Sequence, residues 1–415
     1  MLLPDYYEYC CRVKTVAGHA VLEKIPELLA DMHAAKPMII TDKGVVAAGL
    51  LDVVTGAIGN RIAIGSVEDE VPPDSDLKVV NQLARTYKAK GCDSIIALGG
   101  GSVLDTAKGV NIIVSENADD LMKFTGAGAL KRKLKPLVAI PTTAGTGSEV
   151  TLVAVIADHE KNTKMLFTSY FLLPDIAVID SRMTLTLPDF LTSMTGMDAM
   201  THAVEAYTCM SKNPVSDACA LEAIRLISQN LLHVVKNPSD REGRLALATA
   251  ATLAGMAFSN SMVGMVHTIG HTVGAVCHVP HGTCMSILLP YGLEYNMHRN
   301  GAYTGELLYA LAGEKVFAET PKEQRPTKAV EMIRKLNQDL FEATGGRHAR
   351  CLKEIAGRDG KPMVPSSKLE TIARLALGDA SIFYNPEDLD KNDMMMVLSA
   401  AWEGVKLDQN LIKKG

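Results

Sequence analysis

The feature that most constrains the fold is an alternation of short β-branched runs with amphipathic stretches over roughly the first 180 residues, the pattern of strands joined by crossover helices. Runs at 37–41, 94–98, 137–140 and 176–179 each end at a Gly, Pro or Asp turn, as buried parallel strands do. We therefore expect an α/β nucleotide-binding domain with a Rossmann-like parallel sheet. Its ligands would bind at the carboxyl ends of the strands.

The second half of the chain has a different texture. After Leu187-Pro188, long segments rich in Ala, Leu and Met, such as 218–235 and 244–262, carry apolar residues at helical spacing. This pattern predicts an all-α C-terminal domain. A chain of 415 residues also exceeds the size at which one core keeps growing. We expect two domains, 1–185 and 186–415.

Composition excludes several classes of partner. The 42 basic and 47 acidic side chains give a net charge of −5 without a dense basic run, so a nucleic-acid partner is not expected. No signal peptide is indicated at the start of the sequence, and its apolar stretches fall short of the ~18 residues of a membrane span. Eight cysteines without metal or disulfide spacing suit a reducing compartment. We expect a cytoplasmic protein without a membrane partner.

A glycine turn follows the run at 94–98. Gly99, Gly100 and Gly101 let the backbone approach an anion, Ser102 is expected to cap the helix that follows, and that helix start would favour a diphosphate. The turn departs from the G-x-G-x-x-G fingerprint, so a plain structural turn is the alternative. A second polar loop at 141–149 follows the next strand and favours a nucleotide.

Asp42 follows the run at 37–41. A carboxylate there could accept hydrogen bonds from a ribose diol and would repel a 2′-phosphate, which favours NAD over NADP. The alternative is an exposed turn aspartate.

A set of metal-ligand side chains lies in the second half. Asp198 and His202 are four residues apart and share a helix face, and four of the 11 histidines lie between 267 and 281. His267 and His271 share another face, and Pro280 lets His281 approach from a different direction. Asp198, His202, His267 and His281 would suit Fe²⁺ or Zn²⁺. The alternative is ordinary core or surface histidines, which we expect for His278.

Together, the segments 99–108, 141–151, 195–207 and 264–282 resemble the iron-containing (group III) alcohol dehydrogenase family. The resemblance implies a dehydroquinate synthase-like architecture, a homodimer or higher homo-oligomer, and the four metal ligands just named. It also implies that His271 is catalytic beside the nicotinamide, that Asp42 selects NAD and that Phe258 lines the substrate pocket. The cofactor contacts that it implies are Gly99, Gly100, Gly101, Ser102, Asp105, Thr142, Thr143, Thr146, Thr151, Val153 and Lys164.

The chain departs from the family pattern near Asp74, where many relatives carry an asparagine, and in extra stretches within 313–328 and 351–366. The expected reaction moves hydride between a short-chain primary alcohol or diol, or the aldehyde, and NAD(H), with Fe²⁺ or alternatively Zn²⁺. His271 would relay the alcohol proton. The alternatives are polyol oxidation as in a zinc glycerol dehydrogenase, and a non-catalytic NAD-binding assembly protein. A lyase is disfavoured because the metal-ligand segments lack Lys and Arg.

Overall fold

A computed structural model of the protein describes residues 4–160, 163–357 and 359–412. The chain divides into two compact units. The strand unit comprises Cys10–Leu187 and Ser239–Gly255, and the helical unit comprises Met1–Tyr9, Pro188–Pro238 and Met256–Gly415. Ser239–Gly255 thus groups with the strand unit although it follows the boundary expected near 185.

The strand unit contains a six-stranded sheet of order β1-β9-β6-β4-β2-β3, in which every described pairing is parallel, and a smaller three-stranded sheet of order β5-β8-β7. The parallel α/β class expected from the sequence is confirmed. The strands are β1 (Lys14–Gly18), β2 (Pro37–Ile40), β3 (Ser66–Glu68), β4 (Ser94–Gly99), β5 (Gly126–Ala127), β6 (Leu137–Pro141), β7 (Val153–Asp158), β8 (Thr163–Thr168) and β9 (Ile176–Asp180).

The central strands β4, β6 and β9 are buried along their whole length. Their near-continuous apolar sequence suits a sheet that is covered on both faces. In the register between β4 and β6, Gly99 lies opposite Pro141, so the two strands end at the same level. The loops that follow them therefore begin side by side.

Helices pack against the sheet of the strand unit and make up most of the described part of the helical unit. The predicted helical segment 218–235 lies within α7, and the predicted segment 244–262 lies almost entirely within α8. The helices are α1 (Ile25–Asp31), α2 (Lys43–Ala47), α3 (Leu50–Ile58), α4 (Leu77–Lys90), α5 (Gly101–Glu116), α6 (Asp189–Thr208), α7 (Pro214–Lys236), α8 (Arg241–Ser261), α9 (Met265–Cys277), α10 (His281–Tyr295), α11 (Met297–Glu319), α12 (Arg325–Ala343), α13 (Leu369–Ala376) and α14 (Lys391–Glu403).

Local chemistry explains where several helices begin. Asn213 caps α7 through the Ser216 amide, and Asp390 opens α14 with a complete capping box. α11 is kinked at Gly313, whose φ of 83° is outside the helical region, within the range 313–328 where an extra stretch was predicted. Among the described helices, none alone is long and apolar enough to span a membrane. The pair α8 and α9 meets the length and hydropathy criteria only when the two helices are taken together, and it is bent by 106°.

Candidate nucleotide and metal sites

The glycine turn connects β4 to α5 in the strand unit. A Cβ atom on Gly99 would lie 2.5 Å from Val103 Cγ2, and one on Gly101 would lie 3.0 Å from Thr146 Cγ2. Only glycine fits Gly99 without a shift of its neighbours. The turn therefore packs tightly against both its own helix and the loop after β6.

The expectation that Ser102 caps α5 is wrong. Gly100 occupies the capping position, and no side chain caps the helix. The chain turns into the helix earlier than expected because glycine is tolerated at that position, and the Ser102 hydroxyl instead accepts the Asp74 amide at 3.1 Å. The first amides of α5 have no side-chain cap, which suits the binding of an anion.

The loop after β6 lies against the glycine turn. The Thr142 amide donates to the Gly99 carbonyl at 3.1 Å, and Thr143 side-chain atoms lie 3.4 Å from where a Gly100 Cβ would stand. Thr146 contacts Gly101 and accepts the Ser148 amide at 3.3 Å. The structure thus brings the predicted contacts of these two loops into one place.

Behind the loops lies a buried lysine that the sequence analysis missed. Lys108 donates from Nζ to the carbonyls of Thr151 at 3.0 Å and Val153 at 2.7 Å. Burial lowers the pKa of Lys108 to about 8, although the nearby carboxylates of Asp105 and Glu149 oppose the shift. Three of the predicted cofactor contacts, Asp105, Thr151 and Val153, thus surround an internal cation.

The remaining predicted contacts of this unit lie on the surface or at strand ends. Lys164, on β8, forms an ion pair with Asp74 at 3.3 Å, so Asp74 lies next to both Lys164 and Ser102. Asp42 follows β2 and caps α2, where its Oδ1 accepts the Val45 amide at 2.9 Å. Since β2 pairs with β4 in parallel, Asp42 lies at the same sheet edge as the glycine turn.

The helical unit brings the four predicted metal ligands together. Asp198 and His202 project from one face of α6, His267 lies on α9, and His281 is the first residue of α10. One possible ligand atom from each lies within 4.8 Å of all the others. Asp198 Oδ1 is 3.2 Å from His281 Nε2. His278, in contrast, is exposed and ends α9 with a φ of 56°.

The donor atoms of this cluster fit a divalent metal ion. His202 Nδ1 and His267 Nε2 are buried and have no hydrogen-bond partner among the described residues. Such atoms cost about 1–3 kcal/mol each unless something binds them. Burial lowers the pKa of His202 to about 3 and that of His267 well below its ordinary value, so both rings are neutral, the form that binds metal.

Asp198 completes the cluster with a negative charge. Burial alone would raise the pKa of Asp198, but the neighbouring histidines His202 and His281 outweigh it, and the pKa is lowered. One carboxylate and three imidazoles are a donor set that Fe²⁺ and Zn²⁺ both accept.

Glu205 supports the cluster and was missed by the sequence analysis. Its Oε2 lies 2.5 Å from His267 Nδ1, and its Oε1 accepts the Val266 amide at 2.8 Å. The carboxylate therefore fixes the start of α9 and directs His267 Nε2 away from itself, the usual arrangement behind a metal-binding histidine. Its spacing, three residues after His202 and seven after Asp198 on one helix, was an available signal.

Two further predicted residues lie against the cluster. The His271 ring stacks on the His281 ring at 5.3 Å, and Nδ1 of His271 lies 2.9 Å from Asp379 Oδ2. The Phe258 ring stacks on the His202 ring at 4.2 Å. Nothing in the sequence indicated that Asp379 contacts His271, since the two residues are about a hundred positions apart and Asp379 lies in an irregular segment.

The strand unit has a parallel sheet and an uncapped glycine turn that suits a nucleotide. The helical unit has a buried cluster of one aspartate and three histidines that suits a metal ion. Together these features define the class of a nucleotide- and metal-dependent protein. The chain belongs to the iron-containing alcohol dehydrogenase family. The N-terminal part of the family matches residues 13–181, and the C-terminal part, described as Fe-containing alcohol dehydrogenase family, C-terminal, matches residues 192–402. Members of this family are oxidoreductases. The match does not favour the two alternatives, polyol oxidation as in a zinc glycerol dehydrogenase and a non-catalytic NAD-binding assembly protein.

Several characterised proteins are similar to this chain. An NAD-dependent methanol dehydrogenase of Bacillus methanolicus is 35% identical over 283 residues, 68% of this chain and 74% of the relative. An NADPH-dependent butanol dehydrogenase of Clostridium saccharobutylicum is 32% identical over 387 residues, 92% of this chain and 95% of the relative. The crystal structure of a 1,3-propanediol oxidoreductase superposes with a TM-score of 0.89 at 30% identity, covering 96% of this chain and 100% of the other.

Proposed function

We propose that the protein interconverts short-chain primary alcohols or diols and their aldehydes with NAD(H), at one divalent metal ion held by Asp198, His202, His267 and His281. The observation that carries the proposal is the buried cluster itself, in which two neutral imidazole nitrogens lie without a hydrogen-bond partner among the described residues beside an ionised carboxylate. Family membership supports the reaction class.

Fe²⁺ or Zn²⁺ bound there would supply Lewis-acid polarisation of the alcohol oxygen, and NAD⁺ would supply the hydride acceptor. The chain's own residues supply position and proton transfer. Glu205 holds His267 through its Nδ1, and His271 lies beside the ligands without being one of them. Phe258, stacked on His202, provides an apolar wall that favours a small substrate.

The coenzyme diphosphate is proposed to bind at the start of α5 between the glycine turn and the loop after β6. The uncapped amides of Gly101 and Ser102 would donate to it. Lys164 and Asp42 would contact its ribose side. A cytoplasmic homodimer, implied by the family resemblance, is proposed with it.

The test begins with protein purified without oxygen and analysed for metal. NAD⁺ reduction is then measured across alcohols and diols of two to six carbons, before and after Fe²⁺ or Zn²⁺ is restored to stripped protein. We expect activity to return with one of these ions, which would identify both the ion and the preferred substrate. Metal bound at full occupancy without turnover of any alcohol would overturn the proposed reaction.

A matched pair of histidine variants tests the site. His267→Ala removes a buried donor and is expected to lose bound metal and more than about 100-fold of the turnover, beyond the loss typical of supporting residues around a metal. His278→Ala changes an exposed histidine outside the cluster and keeps both. Equal metal content in the two variants would argue against the assigned ligands.

A further inference from the structure

His271 and Asp379 form a carboxylate–imidazole pair beside the proposed metal ligands. Nδ1 of His271 lies 2.9 Å from Oδ2 of Asp379. The other oxygen of Asp379 accepts the backbone amide of Ser381 at 2.8 Å and begins the short helical turn Ala380–Tyr384. The Asp379 side chain is 22% exposed and that of His271 is 43% exposed. The carboxylate is thus held in place by the backbone, whereas the imidazole reaches solvent.

The pairing determines which nitrogen of His271 can accept a proton. A neutral imidazole carries its hydrogen on one nitrogen and a lone pair on the other. An ionised carboxylate only accepts hydrogen bonds, so Asp379 selects the form with hydrogen on Nδ1. The lone pair is then on Nε2. The ring is also fixed in position, since it stacks on His281 and meets the edge of His267 at 5.5 Å.

We propose that Asp379 is a positioning residue that holds His271 in the Nδ1–H form, so that Nε2 accepts the proton of the alcohol. This inference rests on the proposed function. In oxidation, the O–H bond breaks and its proton bonds to Nε2, while the O–H electron pair forms the C=O bond. The hydrogen on the carbinol carbon leaves with its electron pair as hydride, which reduces NAD⁺. The imidazolium then releases its proton to water, and aldehyde reduction reverses each transfer.

Turnover of Asp379 variants is the first measurement. We expect Asp379→Asn to lower kcat for alcohol oxidation by about 100-fold or more, the usual contribution of a positioned proton acceptor. KM for NAD⁺ should stay within about twofold and metal content should be unchanged, because neither depends on the tautomer. Asp379→Glu should recover part of the loss.

Asp390→Asn is the matched control. Asp390 caps α14 through the amides of Asn392 and Asp393, as Asp379 caps its own turn, and it is not one of the residues proposed to bind metal or to transfer the proton. We expect this variant to keep the turnover of the unaltered enzyme. If both variants lose kcat equally, the effect of Asp379 comes from a lost cap, and the proposal is overturned.

A double variant separates action through His271 from an independent effect. If Asp379 works only through His271, His271→Ala with Asp379→Asn is no slower than His271→Ala alone. Losses that multiply in the double variant would contradict the proposal, as would an Asp379→Asn enzyme with unchanged kcat.

The tautomer can be measured without turnover. In metal-free protein labelled with ¹⁵N-histidine, NMR at alkaline pH should show His271 with hydrogen on Nδ1, and the His271→Ala spectrum identifies its signals. Asp379→Asn should move the ring toward the Nε2–H form. A wild-type ring with hydrogen on Nε2 overturns the inference even in an active enzyme. If the tautomer is as expected but no alcohol reduces NAD⁺, the pairing stands and the proposed function fails.

Discussion

At Asp42, one carboxylate oxygen accepts the Val45 amide and so begins α2. The same side chain is proposed to face the coenzyme ribose, where its negative charge would repel a 2′-phosphate. The relatives include both an NAD-dependent and an NADPH-dependent enzyme. The proposed role of Asp42 in coenzyme choice must therefore be tested separately from its role as a helix cap.

Asp42→Ser makes that separation, because serine caps helices about as well as aspartate but carries no charge. We expect the ratio of kcat/KM for NAD⁺ to that for NADP⁺ to fall by about tenfold or more, equivalent to about 1.4 kcal/mol. Asp76→Ser, which changes the cap of α4 in the same unit, is the control. If the ratio of kcat/KM for NAD⁺ to that for NADP⁺ were unchanged in Asp42→Ser, residues other than Asp42 would determine the choice of coenzyme.

Among the helices, one buried histidine links three elements. His348 Nδ1 lies 3.1 Å from the Ser193 hydroxyl of α6, and its Nε2 lies 2.8 Å from the Ser286 hydroxyl of α10, which in turn donates to Asn337 of α12. Burial lowers the pKa of His348 to about 4. The His348 ring is therefore neutral near pH 7.

This lowered pKa predicts a pH dependence of stability. Between about pH 6.5 and 4 the unfolded chain binds a proton at this position that the folded chain does not, so the free energy of unfolding falls as the pH falls. The contribution of His348 over that range is about 3 kcal/mol. Denaturant unfolding of His348→Asn should show a lower stability at neutral pH but a shallower decline toward acid.

His233→Asn serves as the control for that experiment, because His233 is exposed on α7. Its decline toward acid should match that of the unaltered protein. A His348→Asn protein with the same decline would mean that this histidine does not titrate differently in the folded and unfolded states.

For the whole molecule, all four proposed ligands belong to the helical unit. An ion that binds only the folded state adds about 4 kcal/mol of stability at a concentration a thousand times its Kd. We expect hydrogen exchange with and without Zn²⁺ to show added protection in α6, α9 and α10, and little change in β4 and β6. Uniform added protection throughout the strand unit would contradict this expectation, and His267→Ala should abolish the change.

The fold class and the grouping of Asp198 with three histidines were predictable, since buried parallel strands are continuous apolar runs and clustered histidines are rare in packed cores. The hairpin of β7 and β8 was not predicted, although β7 is itself a continuous apolar run, because the segment that joins the two strands contains no Gly or Pro to indicate a turn. Lys108 and Asp379 were missed for another reason: their partners are brought to them by tertiary packing, which leaves no local spacing in the sequence. Ser102 misled because a nearby glycine serves as the cap.

The dependence of His271 on Asp379 also gives the site an order of completion during synthesis. All four proposed metal ligands precede residue 282, whereas Asp379 follows nearly a hundred residues later. At roughly 5–20 residues per second, the ribosome adds that stretch in about 5–20 seconds. For that interval the nascent chain carries all four proposed metal ligands but not the carboxylate that is proposed to orient the proton acceptor. The chain can therefore meet the metal ions of its cell before it is able to turn over substrate.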